Sequence, residues 1–432
     1  MYKYRYISSI ILAAALMSLP PAAAALASPA LTPRLPDDPA GQTAEFSPFA
    51  IGPGLDNLSL GDAYATYQWG LKNDGELRLT QIQQSFQTID SAMGTTPDQT
   101  ESGTVGLPRV IGPGAYESTV THAVPGIDIN ILPAWDSYNA AENKRQVIVA
   151  IIDTGIDFTH PELINAMWIN QDEIWGDGID NDGNGYIDDV FGWDFYYDNN
   201  LTFTGYEDSH GTHAAGTIAA DKGSLGITGI TDNSYVKIMS LKALGGSRGS
   251  GSVEDVIKAI HYAEANGASI CNLSFGTDIY DQRLEDAISS SNMLFIVAAG
   301  NGDSAGNGYS IDEVPIYPAA FPSDNIISVA NLLFDGSLSS SSNYGAVSVD
   351  LAAPGSYILS TVPGGQYSFM TGTSMAAPMV TGTAAMLYSC RPELSLSDVK
   401  TILLNSSRKL DSLTGRVSSG GMLDANAALG YH

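Results

Sequence analysis

The sequence predicts an α/β fold, a mainly parallel, doubly wound sheet with helices on both faces. Three observations carry that expectation. From Gln146 onward, strand-like runs alternate with runs of helical length, which is the pattern βαβ units produce. The run Val147–Ile152 is apolar throughout and stops at an aspartate. With 432 residues, 44% of them hydrophobic, the chain is long enough to bury a large core.

Taken in order, Lys3 and Arg5 precede an apolar stretch from Ile7 to Leu19, and Ala25-Leu26-Ala27 has the form of a cleavage site. Residues 1–27 therefore read as a secretory signal and place the mature protein outside the cytoplasm, secreted. The apolar core is too short for a membrane anchor and is broken by Pro20-Pro21; no membrane partner is expected after its removal. Residues 28–61 are rich in Pro, Ala and Gly and read as a linker or short pro-segment. Strand-like runs follow at Val147–Ile152, Val236–Leu241, Ala268–Ser274, Met293–Ala298 and Ile326–Val329. Helical runs lie at His210–Ala220, Ser252–Asn266 and Leu284–Ser291, with a small-residue run at Met375–Tyr388. A last helix is expected over Ser395–Leu404, with Ser395 as N-cap and Asp398 three residues on.

The net charge of −28 argues against nucleic acid or an anionic membrane as partner. It suits an extracellular protein that binds cations. Cys271 and Cys390 are the two cysteines. The second lies about 24 Å along a helix from Ser374 at about 1.5 Å per residue, whereas a disulfide needs Cα atoms within about 7 Å; two unpaired thiols are expected.

Three stretches carry chemistry. Thr371-Gly372-Thr373-Ser374-Met375-Ala376-Ala377-Pro378 puts Ser374 where a Gly-rich turn meets the small-residue run, at a helix N-terminus, with Pro378 expected in the first turn. Free N–H groups there suit an anion. Ile151-Ile152-Asp153-Thr154-Gly155 ends a strand at an acid, the edge where open α/β sheets bind ligands. Asp208-Ser209-His210-Gly211-Thr212-His213 opens a second small-residue helix with a base. Spacing alone leaves His210 and His213 both open as that base. Asp, His, Ser is one of the known chain orders of a catalytic triad.

With these blocks intact and in order, the chain resembles the subtilisin-like serine peptidases, the subtilases. The resemblance implies a serine endopeptidase acting on polypeptides through an acyl-enzyme, with Asp153, His210 and Ser374 as the triad and no catalytic cofactor. Ala298-Ala299-Gly300-Asn301 would supply the oxyanion donor, Asn301. Two extended segments would hold substrate as an added strand: Ser250 and Gly251 on one side, Ser274, Phe275 and Gly276 on the other. Small groups at Ala298, Ala299 and Gly300 would wall the primary pocket and leave room for a large apolar side chain. Gln68-Trp69-Gly70-Leu71 resembles the opening of the family's catalytic domain, which gives a peptidase domain over 62–432 with 74–125 as an insertion. A rival division makes 28–120 a prodomain. Gly420-Gly421-Met422-Leu423-Asp424-Ala425 resembles the family's usual close, and the protein is expected to be a monomer.

Between the acid and base blocks, Asp180, Asp182, Asn184, Tyr186 and Asp188 fall at the first, third, fifth, seventh and ninth positions of an EF-hand-type loop, with Gly185 at the sixth. Phe191 stands where the bidentate glutamate would be, so Asp189 or Asp177 is expected to complete a structural Ca2+ site. No Lys or Arg lies from Asp172 to Asp194, and such a cluster repels itself without a cation. A second calcium loop found in many subtilases has Gly223 here where its asparagine would be, with Lys222 adding a charge like the metal's, and is expected to be lost.

Overall fold

The computed structural model describes residue 64 and residues 67–75, 123–223, 226–246, 249–303 and 305–431. The expected secretory signal, the expected pro-segment and nearly all of the expected insertion 74–125 lie outside these residues. In chain order the main sheet contains β1 (Val147–Asp153), β2 (Gly192–Asp194), β3 (Val236–Lys242), β4 (Ile270–Leu273), β5 (Leu294–Ala298), β6 (Ile326–Leu332), β7 (Leu351–Pro354), β10 (Arg408–Lys409) and β11 (Gly421–Met422). The lateral order is 10-11-7-6-5-4-1-3-2. Every pair is parallel except β10 with β11. A separate antiparallel hairpin, β8 (Ile358–Val362) and β9 (Gln366–Met370), turns through Gly364 and Gly365, both with φ in the left-handed region.

The helices are α1 (Ile131–Ala140), α2 (Ser209–Ala219), α3 (Val253–Ala265), α4 (Gln282–Ser289), α5 (Thr373–Cys390), α6 (Leu396–Asn405) and α7 (Ala425–Leu429). They cover both faces of the sheet. Val147, Val149 and Ile151 of β1 point into one core with Ala214, Ile218, Met375 and Val380. Ala150 and Ile152 point into the other, with Val256, Ile260 and Ile288. Alternate residues of one strand thus feed opposite cores, which the period of two requires. Ser252 caps α3 and Ser395 caps α6 in a capping box with Asp398.

Strand order reverses at β1, whose neighbours are β4 on one side and β3 on the other. The loops leaving β1 in such a sheet diverge and open a crevice at its C-terminal edge. Asp153 is the last residue of β1 and therefore stands at that crevice.

Trp69 is buried in the first core and donates its ring N–H to Ser356 O at 2.9 Å, while the Gln68 amide exchanges two hydrogen bonds with the backbone of Thr228. Gly126 N donates to Asn73 O at 2.8 Å, so the chain on either side of 74–125 is adjacent.

Both cysteines are free, Cys271 fully buried in β4 and Cys390 half-buried at the end of α5. Burial pushes the Cys390 thiol up to about 11 and Cys271 further up. Thiolate is the reactive form, so a thiol reagent should titrate the native protein slowly and release two equivalents only after denaturation. An intact mass two hydrogens below the sequence mass would contradict this.

Candidate active site

His210 is the second residue of α2. Gly211 lets that helix close on the end of β1, since a Cβ there would lie 2.2 Å from Gly155 O and 3.2 Å from the Asp153 Cβ. The approach brings His210 Nδ1 within 2.9 Å of both carboxylate oxygens of Asp153. Thr154 N also donates to Asp153 Oδ1, at 2.6 Å, and Asp153 O accepts from Ala243 N and Leu244 N. A carboxylate fixed in this way holds the proton on Nδ1 and leaves Nε2 to accept. Nε2 is buried and makes no hydrogen bond.

His213 is held differently. Its Nε2 lies 3.0 Å from Ile358 O and 3.1 Å from Ser368 O, so that nitrogen donates to two carbonyls. Burial pushes the ring down to about 3. It is a neutral tie between α2 and the β8–β9 hairpin, whereas of the two histidines that spacing left open it is His210 that lies against Asp153.

Ser374 is the second residue of α5 and is fully buried, in the first turn, where backbone N–H groups point out of the helix start. Pro378 lies in the second turn and not the first as expected, because the helix begins at Thr373. The consequence is local. A proline four residues on cannot donate to the Ser374 carbonyl, and that carbonyl accepts from Ser274 Oγ at 3.1 Å. The Ser374 hydroxyl in turn donates to Ser274 O at 3.0 Å. Reaching His210 Nε2 requires the hydroxyl to turn away from Ser274; such bonds often tighten only with substrate bound.

Asn301 follows β5 and Gly300. Its Oδ1 accepts from Thr373 N at 2.8 Å and from Thr373 Oγ1 at 2.9 Å, which leaves the NH2 as the end turned away from Thr373. Thr373 Oγ1 also accepts from Gly300 N. One hydroxyl thus links the Asn301 loop to the start of the Ser374 helix, a tie that sequence reading missed.

The expected substrate segments are placed as follows. Ser250 pairs with Gly245 through both its amide and its carbonyl, and Gly251 packs on Ala243 O. Ser274 is anchored by Asn272 Nδ2 at 2.8 Å, and Phe275 is buried in the second core. Gly276 and Gly300 both face Ile316, whose Cγ2 would lie 2.8 Å and 3.8 Å from a Cβ at those positions. Ala298 and Ala299 are buried at the end of β5, with Ala299 N bonded to Val329 O.

The acidic loop differs in detail from the expected register. Asp180 folds back to accept from Gly183 N, Asn184 N and Gly185 N, and Asp188 accepts from Gly176 N and Gly178 N. Both cap turns. The carboxylates that converge are Glu173, Asp182 and Asp189, with one oxygen from each within 4.8 Å of the others. Asn184 Nδ2 donates to Asp182 Oδ2 and Asp189 Oδ2, while Tyr186 packs edge-on to Trp193 and Tyr262. Glu173 lies seven residues before Asp180, outside any EF-hand spacing. Burial raises the Asp189 carboxyl. Three converging carboxylate oxygens are hard donors of the kind that Ca2+ takes. At the other loop, Lys222 Nζ stands 4.2 Å from the Trp135 ring centroid and donates to Ile230 O. Glu162 Oε1 there accepts from Gly226 N, Ile227 N and Tyr367 OH.

An acid–base pair at the switch point of a doubly wound sheet, beside a helix N-terminus that bears a serine, defines a centre of the serine-hydrolase type. The chain belongs to the subtilase family, whose profile matches residues 144–427. It is 35% identical over 318 residues to Subtilisin-like protease 1 of Plasmodium vivax, covering 69% of this chain and 49% of that protein. It is 33% identical over 291 residues to the Major intracellular serine protease of Bacillus subtilis, covering 66% and 82%. Among solved structures, fervidolysin from Fervidobacterium pennivorans, a keratinolytic enzyme related to subtilisin, superposes with a TM-score of 0.54 at 27% identity, over 68% of this chain and 44% of that one. The chain spans about half the length of the Plasmodium Subtilisin-like protease 1 relatives it matches.

Proposed function

We propose that this protein is an exported serine endopeptidase that cleaves polypeptides through an acyl-enzyme on Ser374. The observation that carries the reading is the Asp153–His210 pair at 2.9 Å, its second nitrogen bare, on a helix that packs against α5. His210 Nε2 takes the Ser374 hydroxyl proton as Oγ bonds to the substrate carbonyl carbon, then gives it to the leaving amine as the C–N bond breaks. Water repeats the sequence and frees the acid. Asn301 and the Ser374 N–H serve the oxyanion. Small groups at Ala298, Ala299, Gly300 and Gly276 favour an apolar side chain in the primary pocket. Ile316 shortens the space between the two glycines, so a panel of peptides varied at that one side chain reads its depth.

The unit is proposed to act as a monomer that opens near residue 62, with 74–125 inserted. Labelling wild type and Ser374→Ala with a fluorophosphonate in calcium buffer, followed by intact mass and N-terminal sequencing, tests the whole reading. Labelling of wild type alone supports it. No labelling of folded protein moves the weight to a peptide-binding relative without activity, and an N-terminus near 120 favours the prodomain division.

Glu173, Asp182 and Asp189 are the residues proposed to hold Ca2+, which would supply the positive charge these carboxylates lack. A ligand bound to the folded state at about 100 times its Kd adds about 2.7 kcal/mol. EGTA should therefore lower Tm by several degrees in wild type and in Asp180→Ala, which loses only turn caps, but not in Asp182→Asn. An EGTA effect that survives in Asp182→Asn would move the site elsewhere.

A further inference from the structure

We propose that Asn343 is a positioning residue for the oxyanion loop. It lies outside every motif and far along the chain from the triad, and its 1% exposure marks it as core. Its side-chain amide uses both ends on the loop after β5. Nδ2 donates to Ala299 O at 3.1 Å, and Oδ1 accepts from Gly302 N at 3.1 Å and from Tyr309 N at 3.2 Å. Its own N–H donates to Gly300 O at 2.9 Å. The residues on both sides of Asn301 are therefore bonded to Asn343.

The loop is shaped to admit it. Gly300 has φ +98, and a Cβ there would lie 2.6 Å from Asn343 Nδ2. Thr373 fixes the Asn301 side chain from one side, and Asn343 fixes the backbone that carries it from the other. An oxyanion donor works only where it meets the oxygen that develops in the transition state, and a misplacement of about 1 Å can cost about 10²-fold. Asn343 touches neither substrate nor reacting atoms; its effect passes through Asn301.

The proposal rests on Asn301 as the oxyanion donor, and a double-mutant cycle keeps the two claims apart. Asn343→Ala and Asn343→Asp are made in wild type and in Asn301→Ala, with kcat expressed per serine titrated by a fluorophosphonate so that misfolded protein does not count. Asn343→Asp replaces the donor to Ala299 O by an acceptor at nearly constant volume, which keeps the test open if the alanine variant yields no titratable sites.

The expected result is a fall in kcat of about tenfold or more with KM little changed, and a matching loss of affinity for a peptide boronate, whose adduct is tetrahedral. Affinity for a non-covalent product peptide stays the same. In the Asn301→Ala background the Asn343 effect should shrink to less than about threefold, because the donor it positions is gone. Equal losses in both backgrounds, or a lower Tm with unchanged kcat per titrated serine, would overturn the positioning role. If Asn301→Ala itself leaves kcat unchanged, the oxyanion reading fails first and the positioning claim falls with it.

Discussion

Ser374→Ala is expected to lower kcat by about 10⁶-fold, the size of the corresponding loss in subtilisin, a member of the same family and the case from which the figure comes. His210→Ala should match it, and the double variant should be no worse than either single one, because a nucleophile without its base and a base without its nucleophile are equally idle. Asp153→Asn tests the geometry more sharply. Thr154 N donates to Asp153 Oδ1 at 2.6 Å, so the oxygen of an asparagine would stay there and its NH2 would face His210 Nδ1. That nitrogen would have to accept, and the proton would move to Nε2, where the Ser374 hydroxyl needs an acceptor. A loss of about 10⁴-fold, as the same exchange causes in trypsin-type enzymes, is expected at unchanged Tm. Full activity in Asp153→Asn would exclude the assigned tautomer.

The largest expected loss of stability comes from Lys242→Met. Lys242 ends β3, is fully buried, and donates to Thr154 O at 2.5 Å, Asp208 Oδ1 at 2.5 Å and Glu207 Oε1 at 3.0 Å. It therefore ties the residue after Asp153 to the residue two before His210. Removing one partner of a buried ion pair costs about 3–5 kcal/mol because the other charge is left uncompensated, so Tm should fall by several degrees and kcat with it. An unchanged Tm would show that Asp208 is neutral in the folded protein.

Asp194 belongs to the same cluster and gives it a pH dependence. Its Oδ2 is buried without a hydrogen bond, and burial pushes the carboxyl up to about 7 against the pull of Lys242. A carboxyl raised in the folded state holds its proton more tightly there than in the unfolded chain. The associated stability is complete below the ordinary carboxylate value and is lost as pH rises through about 7. The Tm difference between Asp194→Asn and wild type should therefore grow from pH 4 to pH 7 and level off above it. A difference independent of pH would place the Asp194 proton elsewhere.

The alternation of strand and helix, the three motif blocks and the helix caps were legible because each is written in neighbouring residues. Ser395 with Asp398 is one such local pair, and Val147–Asp153 is another. Contacts made across the fold were not. Nothing near Asn343 announces that it closes on Ala299 and Gly302, and Lys242 reads as an ordinary strand end until β1 lies beside it. The loop at Asp180 shows the same limit. Spacing finds acidic positions, but whether a carboxylate caps a turn or faces its neighbours depends on backbone torsions that the residue names leave open. The β8–β9 hairpin had a readable signal in Gly364-Gly365, hidden within a long polar and apolar mixture.

The acid lies at the end of the first strand, β1, and the hydroxyl at the start of the last long helix, α5. Chains grow from the N-terminus, so acid and base leave the ribosome well before the nucleophile, and parallel pairings between distant segments form slowly. The placing of these groups in early and late segments of the chain therefore sets a clock. On the proposed reading, neither a nascent chain nor a clipped one that has lost α5 would have the means to cut, and hydrolytic power would arise only once the sheet has closed.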